Sequence, residues 1–189
     1  MKRLALLAPV LGLATLLAGC GSSGPSDDAA AAASGAAASG AASGSASVPA
    51  AAFNPCDSLS ARRISKALGV DVSIEKGTAD TPRCALLPAQ KNGPTFELSY
   101  LRFDGGLEAA WKTMQVPTGT VTTPTVANAD AARQVVQQSS DAYAVSAFLQ
   151  NGNLIQSLNG MALAPYRVKA MERATAEILR ELSAGAPAA

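Results

Sequence analysis

The chain has 189 residues, with 15 Lys and Arg set against 14 Asp and Glu, and it contains no histidine. That near-neutral balance excludes the basic footprint by which proteins hold nucleic acid or an anionic surface, and the missing imidazole removes the commonest general base and metal ligand. The 48% hydrophobic content is inflated by alanines in the first quarter of the chain and does not measure a core.

Lys2 and Arg3 precede an apolar run that ends in Leu17-Ala18-Gly19-Cys20. A basic start, an apolar centre and small residues before a cysteine are the parts of a lipoprotein signal peptide, here residues 1–19, with Cys20 as the lipidated residue. The run is shorter than the roughly 20 apolar residues of a spanning helix, and Pro9 and Gly12 interrupt it. The expectation is an exported protein on the extracytoplasmic side of the cell membrane, held there by lipid on Cys20. Two or three acyl chains would anchor firmly where one would not.

Residues 20–52 are almost wholly Ala, Ser and Gly, with Asp27 and Asp28 the only charges. Such a segment cannot bury enough surface to order itself and reads as a tether. At about 5–6 Å times the square root of its length, it spans roughly 30 Å on average.

A folded domain is expected over residues 53–183, with 184–189 as a flexible tail. Ser60 suits a helix N-cap, Leu59 can pack against Ile64, and Gly69 suits the left-handed C-terminal position. Arg62, Arg63 and Lys66 form the outer, solvated side of that helix. Alternation predicts strands at Val70–Ile74, at Cys84–Leu87 after a turn at Asp80–Pro82, and at Thr95–Leu101. Asp104 is expected to cap a helix carrying Leu107, Trp111 and Met114 on one stripe. Gln115–Asn128, rich in Thr and Pro, reads as a long loop with an edge strand near Val121–Val126.

Arg133–Gln138 adds a strand, and Asn151-Gly152 predicts a type I′ hairpin turn between Ala142–Gln150 and Asn153–Leu158. In that register Leu149 faces Leu154, Val145 faces Leu158, and Phe148 with Ile155 falls on the other side, under a loop or at a contact surface. A final helix is expected from Pro165 to Leu182, with Val168, Met171, Thr175, Ile178 and Leu182 as its buried stripe and an Arg173–Glu177 pair outside. This order suits a single α+β domain, an antiparallel sheet of about five to seven strands with helices packed on one face.

The chain has three cysteines. With Cys20 taken by lipid in an oxidising compartment, Cys56 and Cys84 remain as a disulfide pair.

Phe53-Asn54-Pro55-Cys56, Leu59, Ala67-Leu68-Gly69, Cys84 and the terminal amphipathic helix, behind a lipobox and a small-residue tether, resemble the actinobacterial lipoproteins of domain of unknown function 3558. Leu86 stands where that family usually carries tryptophan. The resemblance implies a cell-envelope location and a Cys56–Cys84 bridge, and it carries over no catalytic residue or cofactor.

Ser73-x-x-Lys76 matches an acyltransferase spacing, but it lies on a predicted strand and not at the start of a helix. Asp104 and Glu108 are explained as a cap and a solvated face. The reading is therefore a non-enzymatic binding or interaction module of the envelope, using the Gln115–Asn128 loop and the outer sheet face. Its partner would be an envelope protein, a cell-wall polymer or a lipid. The alternative is a carrier or sensor of a small apolar ligand or lipid in a pocket between sheet and helices, lined by Trp111 and Tyr100.

Overall fold

Alternating apolar residues build one antiparallel sheet in the computed structural model, which describes residues 53–78 and 82–187. The expected leader, lipidated Cys20, tether and most of the Asp80–Pro82 turn lie outside the described residues. After a short 3-10 turn at Pro55–Ser58, helix α1 (Ala61–Leu68) leads to strands β1 (Val72–Gly77), β2 (Pro82–Pro88) and β3 (Thr95–Arg102). Helix α2 (Gly106–Thr113) is followed by β4 (Thr120–Thr122), β5 (Ala131–Gln138), β6 (Ala142–Asn151), β7 (Leu154–Leu163) and helix α3 (Val168–Ala184). The strand order is β1-β2-β3-β7-β6-β5-β4, antiparallel throughout. The expected α+β class, strand number and disulfide are all present, the last joining Cys56 to Cys84 with Cα atoms 5.4 Å apart.

The inner face is set by strand parity. Phe96 and Leu98 of β3, Val145, Ala147 and Leu149 of β6, and Leu158 of β7 all point to it. They pack on Ile64 and Leu68 of α1 and on Met171, Ala174, Ile178 and Leu182 of α3. Burying such a set is the main force holding helices to sheet, at about 25 cal/mol per Å² of apolar surface.

Helix α1 forms where its caps place it. The Ser60 hydroxyl accepts the Arg63 N–H, and Gly69 takes φ 68°. Without a Cβ at Gly69, the Arg167 guanidinium can close on the Leu68 carbonyl at 2.5 Å. A cation at a helix C-terminus also complements the helix dipole.

Several expectations are corrected. The helices do not all pack on one face: α2 lies on the outer face, where Leu107 and Ala110 cover Phe148 and Ile155. Those two residues are thus the seat of a helix, neither loop underside nor free surface. The β6–β7 turn is formed by Gly152-Asn153, so Asn151 pairs with Leu154, Leu149 with Gln156 and Val145 with Gly160. Only Gly152 has positive φ there, at 59°, whereas a type I′ turn needs it at both centres. Tertiary partners explain the shift. The Asn151 amide donates to the Asn128 carbonyl at 2.7 Å, and the Gly152 N–H donates to Asp130 at 2.7 Å.

Pro165 follows a cis peptide and precedes α3, which begins at Val168 and ends at Ala184. Gly185 continues the helix end by donating to the Glu181 carbonyl at 3.0 Å and lies against Ser58, so the folded region passes beyond residue 183. Glu177 pairs with Arg180 at 2.5 Å and Arg63 at 3.3 Å, in place of Arg173. Arg63 thus stays on the exposed side of α1, with its guanidinium paired to α3.

Candidate functional site

The outer face of the sheet is left partly open, since α1 and α3 pack on the inner face and only α2 on the outer. Helix α2 and the segment before β4 cover only the part built by β5 and the turn ends of β6 and β7. Over the rest, side chains of β1, β2, β3, β7 and β6 form polar rows. Arg83 bridges Glu97 at 3.1 Å and Glu75 at 3.6 Å. Ser99 and Ser157 hydroxyls lie 2.6 Å apart, and Ser146 donates to Asn159 at 2.8 Å. Between these rows runs a shallow trough of about 360 Å³ whose lining includes Arg83, Glu97, Ser146, Asn159 and Met161. Met161, in the trough lining, is 51% exposed and Leu101 on the same face 42%, which gives a polar surface apolar contact points.

The Gln115–Asn128 segment does not act as one loop. Its first half borders the outer face, where the Thr118 carbonyl accepts the Gln137 amide at 2.5 Å and β4 pairs with β5. Its second half crosses the sheet edge: Val126 packs on the inner core, and the Ala127 carbonyl accepts the Ser183 hydroxyl at 2.8 Å.

Trp111 and Tyr100 are not brought together. Trp111 lies on the outer face in edge contact with Phe148 at 5.6 Å, with the Arg133 guanidinium 4.8 Å over its ring. Arg133 in turn pairs with Glu108. The indole is thus half-buried against the outer-face cluster. Tyr100 lies on the inner-face side of β3, opposite Gln156, and meets the Phe53 ring edge-on at 5.0 Å. A hollow of about 160 Å³ beside Tyr100 also touches Cys84 of the disulfide.

Asp104 does not cap α2. It accepts from Asn153 at 3.1 Å, while Gln150 of β6 accepts the Leu107 N–H at 2.7 Å and so supplies the cap from another element. Ser73 and Lys76 fall on opposite faces of β1, and Lys76 pairs with Asp57 at 2.7 Å. Among the described residues, no three His, Cys, Asp or Glu gather as a metal site, and no helix is long and apolar enough to cross a membrane.

A cavity of about 340 Å³ lies between the C-terminus of α1, the β2–β3 connection and the start of α3. Leu68, Ala170 and Met171 form its buried apolar floor, and Lys91, Tyr166 and Arg167 stand on its rim. These residues come from segments too far apart in sequence for any local motif to join them. The only sequence signs were the breakers Gly93, Pro94 and Pro165, which mark connections but not what they enclose. No family model, curated protein or solved structure matches the chain.

Proposed function

We propose that the protein is a membrane-anchored extracytoplasmic lipoprotein that acts as a non-enzymatic binding module of the cell envelope, in keeping with its resemblance to domain of unknown function 3558. Support for the anchor comes from the Leu17-Ala18-Gly19-Cys20 lipobox and from cysteine parity. The Cys56–Cys84 bridge uses two of three cysteines and leaves Cys20 as the odd one. The observation that carries the binding role is the open outer face, a polar trough with the exposed Met161 in its lining. Polar rows with a few apolar contact points suit an extended polar partner, a protein or a cell-wall polymer.

Photo-cross-linking from position 161 in intact cells tests the role, with position 66 on α1 as the control. A discrete adduct from position 161 and none from 66 supports it. Equal, diffuse labelling from both positions refutes it. Release of Cys20→Ala protein from the membrane fraction is the matching test of the anchor, and retention would refute that part alone. The carrier reading is favoured by a different observation, the cavity beside α3.

A further inference from the structure

We propose that the cavity between α1, the β2–β3 connection and α3 binds a small anionic amphiphile, a phosphate or carboxylate head carrying a short apolar tail. The proposal is independent of the outer-face reading, because the two sites lie on opposite sides of the sheet.

Three observations combine. First, the cavity is of ligand size, about 340 Å³, within the several hundred Å³ usual for small-molecule sites. Second, its floor is apolar and fully buried: Leu68 is 1%, Met171 2% and Ala170 4% exposed. Third, its rim carries two cations, Lys91 and Arg167, and neither forms an ion pair with a carboxylate among the described residues.

Among the described residues Arg62, Lys66, Arg102 and Arg173 likewise form no ion pair, so what sets Lys91 and Arg167 apart is that both stand over one apolar floor. Arg63, Lys76, Arg83, Lys112, Arg133, Lys169 and Arg180 all have acidic partners. Arg167 is nevertheless held in place, since its Nη2 donates to the Leu68 carbonyl, and four further N–H donors of the guanidinium stay available. A guanidinium held by a hydrogen bond and an exposed lysine over an apolar floor match a ligand that is charged at one end and apolar at the other. The polar end sets orientation, and the tail replaces the water over Leu68 and Met171. Tyr166 does not compete for the head group, because its hydroxyl already donates to the Ser139 carbonyl.

Calorimetric titration and backbone amide spectra of the full chain from residue 20, made with Cys20→Ser so that no acyl chain of its own competes, test the proposal with octyl phosphate. Inorganic phosphate and 1-octanol are the single-feature probes. Octyl phosphate is expected to bind at least about tenfold more tightly than either, with shifts at Ala162, Ala170 and Met171. Lys91→Glu lies on an exposed connection and should weaken that binding about tenfold by reversing a rim charge, while Lys112→Glu on α2 should leave it unchanged. Inorganic phosphate binding as tightly as octyl phosphate would reduce the site to a free-anion site and overturn the proposal. So would 1-octanol binding as tightly, octyl phosphate shifts confined to the outer face, equal affinity in Lys91→Glu, or no binding at millimolar concentration.

Discussion

The Glu181 carboxylate near the end of α3 accepts the backbone N–H of Ser60 at 2.7 Å, and its other oxygen takes the Arg63 guanidinium. In a capping box, a Glu three residues into the helix closes on the N-cap N–H. Position 63 of α1 holds Arg instead, and a residue 121 positions away supplies the carboxylate. A buried side chain, 3% exposed, thereby ties the start of the domain to its end. Glu181→Ala should lower stability by about 2 kcal/mol, since it strands a backbone donor and removes a partner from Arg63. Glu181→Gln, which keeps one acceptor oxygen, should lose less. Urea midpoints of the two variants check both values, and equal midpoints would place the effect in packing and not in the cap.

The Cys56–Cys84 bridge spans 28 positions and fastens the 3-10 turn before α1 to β2. Closing a loop of that size removes about 3.5 kcal/mol of unfolded-chain entropy. The double Cys→Ala variant should be destabilised by about that amount, and the parent domain should yield no free thiol before reduction. Two free thiols in the unreduced protein would contradict the bridge directly.

Helix α2 rests on a small cluster of its own, Phe148 and Ile155 beneath Leu107, Ala110 and Trp111. Phe148→Ala should cost about 3 kcal/mol by leaving a cavity under the indole. It should also red-shift the emission of Trp111, the only tryptophan in the chain, by admitting water to it. Leu98→Ala on the inner face should destabilise without moving that emission. A shift in both variants would mean that the two clusters are not separate.

What could be read from the chain divides along locality. Ser60, Gly69 and the alternation of Phe96 and Leu98 act through neighbours a few residues away, so pattern alone located α1 and β3. The misses share an opposite cause. The β6–β7 register moved because Asn151 and Gly152 answer to Asn128 and Asp130. The cap of α2 passed from Asp104 to Gln150 because β6 brings an amide oxygen to Leu107. A two-residue period says that Phe148 and Ile155 share a face, but not that a helix will cover it. The candidate sites were legible only in part: the outer face followed from alternation, whereas the cavity is assembled from Leu68, Lys91, Arg167 and Met171, none of which is distinctive in its own stretch.

Stability should fall at both ends of the pH scale, for reasons carried by two named side chains. A hydrogen bond from Arg180, with the Arg63 charge adding to it, holds the Glu177 carboxyl below the usual carboxylate range. The unfolded chain then binds the proton more readily, so this contribution is whole above about pH 4.3 and is lost as pH falls through the lower folded value. Burial, with a smaller push from the Glu172 charge, raises the Tyr143 phenol above its ordinary value. The folded state there retains a proton that the unfolded chain gives up, so stability is whole below about pH 10 and is lost as pH rises through the higher folded value. Glu177→Gln should flatten the acid limb of a urea-midpoint profile below the ordinary carboxylate range and leave the alkaline limb unchanged. Tyr143→Phe should do the reverse above about pH 10. An acid limb as steep in Glu177→Gln as in the parent would assign the acid loss to other carboxylates, and an unchanged alkaline limb in Tyr143→Phe would remove the phenol from the alkaline loss.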